Sequence, residues 1–419
     1  MTGSPDRSYT VVPSRSKSQR CDTTACQNAE MTGQGQKQRS EGEVLPARPQ
    51  RLLDSPPPSL QERASWVEVT AGHPELIEVP RKADTGYLTH GLFRYVGKLP
   101  PPLVAYLLDR YTTAGDVILD PMCGGGTTAV EAASSKRPSV NFDLNPVSRL
   151  VTAAVATPID EGSIESLARR TIEEWRPLLP PEALRKYFSD DAYGLIATGL
   201  HLAESPAETA LILSIARTAS FANTKKINTV VDRQKVPRPP IDLLKRATRT
   251  FEEGFSALRA TDPVHSTVAP AEADNLPLDH ESVNFVLLHP PYVTNTAFSE
   301  VTHLQLLLLG FAPSAIQKRE LAYRGSYFHV PNGLKKYIIG WAKILGEANR
   351  VVRRGGHIAV VIGDGSIDHV RIPMGTITAE FGADLGLKLI QRSEHRLNNQ
   401  TGWTLSRRMS SQHLLVFER

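Results

Sequence analysis

The chain is 419 residues long, 40% hydrophobic and 22% charged, enough apolar material for a large core and an accessory domain. Its formal net charge of +4 is compatible with nucleic acid as a partner and equally with an ordinary solvated surface. Three cysteines exclude a disulfide framework, Cys21-x4-Cys26 lacks a second ligand pair for structural zinc, and there is neither a signal pattern nor an apolar run of about 18 residues; the expectation is a soluble cytoplasmic protein with no metal and no membrane contact.

In chain order, residues 1–65 are rich in Ser, Gln, Arg, Thr and Pro, end near Ser55-Pro-Pro-Pro-Ser59, and read as a disordered tail; a nucleic-acid-binding arm is the alternative. A core begins near Trp66. The apolar run Val117–Leu119 predicts a strand that ends in Asp120, and Gly124-Gly-Gly126 a tight turn into a helix from Ala129 to Ser135. A second strand (Val140, Phe142) ends at Asp143. About 110 residues of helical character follow, with helices at 164–179, 193–203, 208–221 and 243–258. Strands are then predicted at 264–268, 283–288 and 357–362, the last after a helix over 334–352, and an antiparallel pair at 386–391 and 412–417. Strands alternating with helices imply an α/β, Rossmann-like, seven-stranded sheet with ligands at the carboxyl ends of its strands. The division is a tail (1–65), a cofactor half of the core (66–155), a helical insertion suited to target recognition (156–262) and a catalytic half (263–419).

The glycine turn narrows the cofactor. Glycine lets backbone N–H groups approach a ligand closely, and Asp143 lies 23 residues past Asp120, near the ~20-residue spacing at which an acid holds a ribose diol. A phosphate-binding Walker loop needs Gly-Lys-Ser/Thr, whereas these glycines run into Thr127-Thr128. A dinucleotide fingerprint needs Gly-x-Gly-x-x-Gly, whereas here Asp120-Pro121 precedes three consecutive glycines and sets a carboxylate beside the ligand. S-adenosylmethionine, with an ammonium group, a ribose and an adenine, accounts for these features together.

Asp120-Pro-Met-Cys-Gly-Gly-Gly-Thr-Thr128 resembles the Asp-Pro-Phe-x-Gly-x-Gly-Thr-Thr signature of the amino-group (N4-cytosine and N6-adenine) DNA methyltransferases. His289-Pro-Pro-Tyr292 resembles their Ser/Asn/Asp-Pro-Pro-Tyr catalytic motif. Tyr95-Val-Gly-Lys-Leu-Pro-Pro-Pro-Leu-Val104 is similar to the segment that closes over the methionine end of the cofactor, and 347–363 to the helix, Gly-Gly turn and strand that follow catalysis. The likeness covers roughly 85–155 and 263–419. It implies cofactor contacts from Tyr95, Asp120, Pro121, Cys123, Gly124, Gly126, Thr127, Thr128 and Asp143, with Asp274 near the adenine amino group. It implies also that position 289 and the carbonyl of Pro290 accept hydrogen bonds from the target amine, that Pro291 helps to fix that carbonyl, and that Tyr292 stacks on a base flipped from duplex DNA. Position 289 departs from the family in being His, which serves as an acceptor only when neutral and could instead mark lost activity.

The insertion carries one stretch unlike its neighbours, Asn223 to Pro240. Lys225, Lys226, Arg233, Lys235 and Arg238 there suit phosphates and its amides suit base edges, unless it is a solvated loop. The loop from Arg396 to Gly402, with Arg407 and Arg408, is a second candidate. Similarity to the Ser-Pro-Pro-Tyr group and Thr294-Asn295 favour cytosine N4 slightly over adenine N6. The alternatives are a tRNA guanosine N2-methyltransferase and an inactive nucleic-acid-binding subunit of the same fold; a restriction or defence partner would fit the leading reading.

Overall fold

The central parallel strands carry fully buried apolar runs, Ile118-Leu119, 285–288 and 358–362, as a sheet covered by helices on both faces requires. The computed structural model describes residues 56–224, 229–293, 297–321, 333–367, 370–397 and 411–419. Its strands are β1 (Glu68–Thr70), β2 (Glu75–Glu78), β3 (Ile118–Asp120), β4 (Ser139–Phe142), β5 (Ser266–Ala269), β6 (Val283–Leu288), β7 (Val352–Ile362), β8 (Gly365–Ile367), β9 (Val370–Ile372), β10 (Lys388–Arg396) and β11 (Ser411–Glu418). The main sheet has the order β1-β2-β10-β11-β7-β6-β3-β4-β5, while β8 and β9 form a separate hairpin.

From β5 to β7 the pairing is parallel, and β11 runs antiparallel to both β7 and β10. These seven strands are the ones predicted. The count nevertheless needs correcting from seven to nine. β1 and β2 pair antiparallel, and β2 adds in parallel to β10, with Ile77 wholly buried beside His395. They were missed because a three-residue and a four-residue strand carry too few alternations for a pattern to register.

The helices are α1 (Leu60–Ser65), α2 (Pro101–Tyr111), α3 (Thr127–Ser134), α4 (Pro146–Ala156), α5 (Ser163–Glu174), α6 (Glu182–Arg185), α7 (Asp190–Leu202), α8 (Pro206–Ala219), α9 (Pro240–Ala260), α10 (Phe298–Val301), α11 (His303–Leu308), α12 (Pro313–Gln317), α13 (Gly333–Val351) and α14 (Met374–Asp384). Several begin where the sequence dictates. The Asn145 side chain accepts from Val147 N ahead of Pro146 at the start of α4, and Ser205 with Glu208 forms a capping box on α8. α1 lies inside the stretch read as a disordered tail, a second correction. Its own capping box (Ser59, Glu62) and the burial of Arg63 against Glu131 of α3 order it.

One face of the sheet packs on Leu103, Leu107 and Leu108 of α2, the other on Tyr337, Trp341 and Leu345 of α13. The insertion helices α5 and α7 to α9 share a third apolar cluster with Ala129 and Val130 of α3 and Val147, Val151 and Val155 of α4. Residues Gln50–Arg419 thus form one compact unit. Neighbours β4 and β5 lie to one side of β3 and β6 and β7 to the other, so the chain's crossovers reverse direction between β3 and β6. Ligands bind at the carboxyl ends of strands at such a reversal. Asp120 ends β3, Asp143 follows β4, and His289 follows β6.

Candidate active site

A cavity of about 220 Å³ opens at this reversal point. It is lined by the glycine turn, by Tyr95 and 97–99 from the segment before α2, by Asp143 to Asn145, by 271–274, by His289 and Pro291, and by 319–321. The sequence expectations Tyr95, Asp120, Pro121, Cys123, Gly124, Thr127, Thr128, Asp143 and Asp274 are all brought to this one cavity.

The turn is held in shape by its own acids. Asp143 Oδ2 accepts from Gly124 N at 2.9 Å and Oδ1 from Asn145 N at 2.8 Å, which ties the ends of β3 and β4 together. Each carboxylate oxygen keeps a further lone pair for a ligand hydroxyl. Asp120 Oδ1 accepts from Met122 N at 3.1 Å; burial pushes its carboxyl up to about 6, against the opposing hydrogen bonds from Thr128 and Met122 N. Burial likewise pushes the Cys123 thiol well up, so it stays protonated beside the cavity.

Gly126 does not line the cavity. It caps α3 with φ +78°, and a Cβ there would come within 2.7 Å of Val155 Cγ2, so its requirement for glycine comes from packing against α4. Gly125, which sequence reasoning passed over, does line it, and a Cβ on it would meet Lys98 Cε at 2.5 Å. Tyr95 stacks on Phe298, with ring centroids 5.9 Å apart and planes within 13°, and its hydroxyl shares a 2.7 Å hydrogen bond with Ser148 Oγ.

Other lining residues are not among those sequence expectations. Lys98 donates to the carbonyls of His90 (2.9 Å) and Phe93 (3.4 Å), and burial lowers its ammonium to about 8. Glu320 accepts from Ser299 N at 2.7 Å, and burial pushes it up to about 7. Arg319 pairs with Glu272 at 2.7 Å. Five carboxyl groups (Asp120, Asp143, Glu272, Asp274, Glu320) therefore face two cations (Lys98, Arg319) in the lining. The two strand-end acids, Asp274 and Lys98 of the Tyr95–Val104 segment lie in stretches the sequence singled out; only folding brings the others in.

His289 and Pro291 line the cavity, whereas Pro290 and Tyr292 do not. His289 Nε2 is 2.9 Å from the Tyr292 hydroxyl, and the rings meet edge to face at 5.6 Å. The Tyr292 hydroxyl donates to Gln412 Oε1, and Gln412 Nε2 lies 2.9 Å from His395 Nδ1. Burial, and then neighbouring His395, holds His289 down to about 4, so its ring is neutral at neutral pH. Pro291's carbonyl accepts from the Tyr337 hydroxyl at 2.9 Å.

Of the basic loop, Arg233 and Arg238 are exposed, while Lys225 and Lys226 lie outside the described residues. Lys235 is committed elsewhere: Nζ donates to the carbonyls of Arg217 (2.8 Å), Ser220 (2.5 Å) and Ala222 (2.7 Å), all three protons of an ammonium. It anchors the loop and has no proton left for a phosphate. An antiparallel bridge joins Ala222 to Val231, and Thr229 N donates to Glu300 O at 3.3 Å, which sets the loop beside the segment after His-Pro-Pro-Tyr. Thr294 and Asn295, and the loop 398–402 with Arg407 and Arg408, fall outside the described residues. Among the described residues no cluster of His, Cys, Asp and Glu is arranged to hold a metal ion, and no helix is long and apolar enough to cross a membrane.

A family model described as DNA methylase, of the N6/N4 methyltransferases, matches residues 30–150. That stretch includes the glycine turn and Asp143 but stops well before His289. The Type II methyltransferase M.MjaII of Methanocaldococcus jannaschii is 40% identical over 62 residues, which make up 15% of this chain and 12% of that protein's length. Among solved structures, a SAM-dependent methyltransferase of Methanosarcina mazei overlaps 75% of this chain and 96% of its own at 10% identity and a TM-score of 0.31. A geranyl diphosphate methyltransferase in complex with SAM overlaps 77% of this chain and 86% of its own at 11% identity and a TM-score of 0.34. Across the glycine turn and the strand-end acids, over residues 30–150, the chain is similar to the amino-group DNA methyltransferases.

Proposed function

We propose that this protein uses S-adenosylmethionine to methylate an exocyclic amino group of a base in DNA, cytosine N4 ahead of adenine N6. The observation that carries the reading is that the glycine turn and His289 face one cavity whose lining is predominantly acidic. A cavity with five carboxyl groups against two cations suits a cofactor bearing a sulfonium and an ammonium group, and would repel the phosphates of a nucleotide. The cofactor supplies an electrophilic methyl group. The chain supplies binding, orientation and a proton acceptor.

Asp143 accepts the ribose hydroxyls on the lone pairs that Gly124 and Asn145 leave open, and Asp274, exposed at the cavity's rim, takes the adenine amino group. A base amine is a weak nucleophile because its lone pair is delocalised into the ring. Hydrogen bonds from its two protons to a His289 nitrogen and the Pro290 carbonyl hold the nitrogen in a shape that frees that lone pair. Catalysis is then positioning, with no covalent intermediate. Tyr292, held through its hydroxyl by His289 and Gln412, is the residue assigned in this reading to stack on the flipped base. Arg233 and Arg238, with Lys225 and Lys226, hold phosphates of the duplex, and Thr229's bond to Glu300 keeps their loop near the catalytic turn.

The test is methyl transfer from labelled S-adenosylmethionine to duplex DNA and separately to transfer RNA, followed by digestion to nucleosides. Label in N4-methylcytosine is expected. Label in N6-methyladenine would revise the base. Label confined to transfer RNA, or none at all, would overturn the DNA reading.

A further inference from the structure

Behind the catalytic turn, His289, Tyr292, Gln412 and His395 form one chain of hydrogen bonds that runs from the cavity through the ends of β6 and β11 to β10. Gln412 and His395 are buried, at 4% and 1% exposure, and no motif includes either. We propose that Gln412 and His395 are positioning residues that fix the tautomer of His289, placing its proton on Nε2 and leaving Nδ1 as the acceptor for the substrate amine. The role in methyl transfer rests on the reading above; the tautomer does not.

The argument is a count of protons. A tyrosine hydroxyl has one proton, and Tyr292 donates it to Gln412 Oε1. At its other end the Gln412 amide places Nε2 2.9 Å from His395 Nδ1, and it donates there when His395 carries its own proton on Nε2, the second half of the proposed relay. The Tyr292 oxygen can then only accept from His289 Nε2, 2.9 Å away. A neutral imidazole carries one ring proton, so with Nε2 protonated the lone pair sits on Nδ1. Were the amide turned round, Tyr292 would donate to His289 Nε2, Nδ1 would carry the proton, and the ring would offer the amine a donor where an acceptor is needed. One buried amide, more than a hundred residues away in sequence, therefore decides whether a histidine can stand where the family has Ser, Asn or Asp.

The tautomer can be read without any turnover, from the nitrogen resonances of protein labelled with ¹⁵N-histidine at neutral pH, with His289 and His395 assigned by the signals that disappear in His289→Asn and His395→Asn. The expected wild-type result is a protonated Nε2 and an unprotonated Nδ1 on His289. In Gln412→Leu, Tyr292 loses its acceptor and turns to His289, so the proton should move to Nδ1 and turnover should fall about 10²-fold, the lower end of what a positioned acid or base contributes, with cofactor affinity unchanged. Gln412→Glu keeps an acceptor for Tyr292 and should retain the wild-type tautomer and most of the turnover. A wild-type Nδ1–H tautomer overturns the proposal, as does a Gln412→Leu variant that keeps both tautomer and turnover. If Gln412→Leu does not fold, the wild-type and Gln412→Glu spectra still decide. The expected tautomer in a protein inert on every nucleic acid would sink the methyl-transfer reading while leaving the relay standing.

Discussion

Two buried polar clusters, one around Glu131 and one behind the cavity at His289, are built on opposite principles. Around Glu131 of α3, just past the glycine turn, Arg63 Nε stands at 3.0 Å, His90 Nε2 at 2.8 Å and the Tyr87 hydroxyl at 2.5 Å, with Glu131 and Arg63 almost wholly enclosed. The ion pair's angle falls outside hydrogen-bond geometry, but Arg63 also donates to Pro58 O and Ser134 Oγ. Burial alone would push the Glu131 carboxyl up; Arg63, His90 and Tyr87 outweigh it and hold it below the ordinary range. Around His289 every group is neutral, and one end of the chain of hydrogen bonds opens on the cavity. A buried charge has to be answered on all sides and so has nothing left to offer a ligand. A neutral chain with one open end costs less to bury and keeps a lone pair available.

The contrast breaks most readily at Glu131. Replacing it by Ala should destabilise the fold by about 3–5 kcal/mol, because Arg63 is left buried and unpaired. Since the carboxyl is held below its unfolded value of 4.5, its contribution is complete above that pH and is lost as the pH falls through the lowered folded value. Urea unfolding that gives less than about 1 kcal/mol would show a pair no stronger than a surface one.

At the other cluster the fold should survive and the chemistry should not. His289→Ala is expected to lower turnover by about 10²- to 10³-fold with S-adenosylmethionine affinity unchanged, while His289→Ser, which supplies a residue of the motif that His289-Pro-Pro-Tyr292 resembles, keeps or raises activity. With His289 held down to about 4, its acid limb in the pH profile of turnover belongs near that pH. A limb near the ~6.5 of free histidine would mean a solvated ring.

Asp143 lies between the two extremes, since it both ties the strand ends together and faces the cavity. Asp143→Ala should weaken cofactor binding by about 1.5–3 kcal/mol, and calorimetric titration with unaltered affinity would remove the ribose assignment.

The smallest effect is expected on the surface. Arg233→Ala with Arg238→Ala should flatten the salt dependence of DNA binding by about one unit of slope for each phosphate that is no longer neutralised. Lys235→Ala should leave that slope alone and lower stability instead, because its three protons hold backbone carbonyls. An unchanged slope in the double variant would return the loop to an ordinary solvated connection.

The sequence by itself determined the cofactor half and the core of the sheet. Asp120, the glycines and Asp143 lie within 24 consecutive residues, and a strand, a turn and a helix joined locally leave a local pattern. The long apolar strands and amphipathic helices were legible for the same reason, down to β6 at Val283–Leu288. Tertiary structure decided the rest. β1 and β2 are too short to show a period, and α1 is ordered by Arg63 reaching a glutamate 68 residues away. Lys235 looked like a phosphate ligand until folding gave it three carbonyls. Glu320, Gln412 and His395 belong to no motif, and they matter only because the parallel strands end at one edge and β11 and β10 fold back beside them. A hydrogen bond carries no trace in sequence when its partners are a hundred residues apart, and the proton it fixes on His289 is decided by which way one buried amide faces.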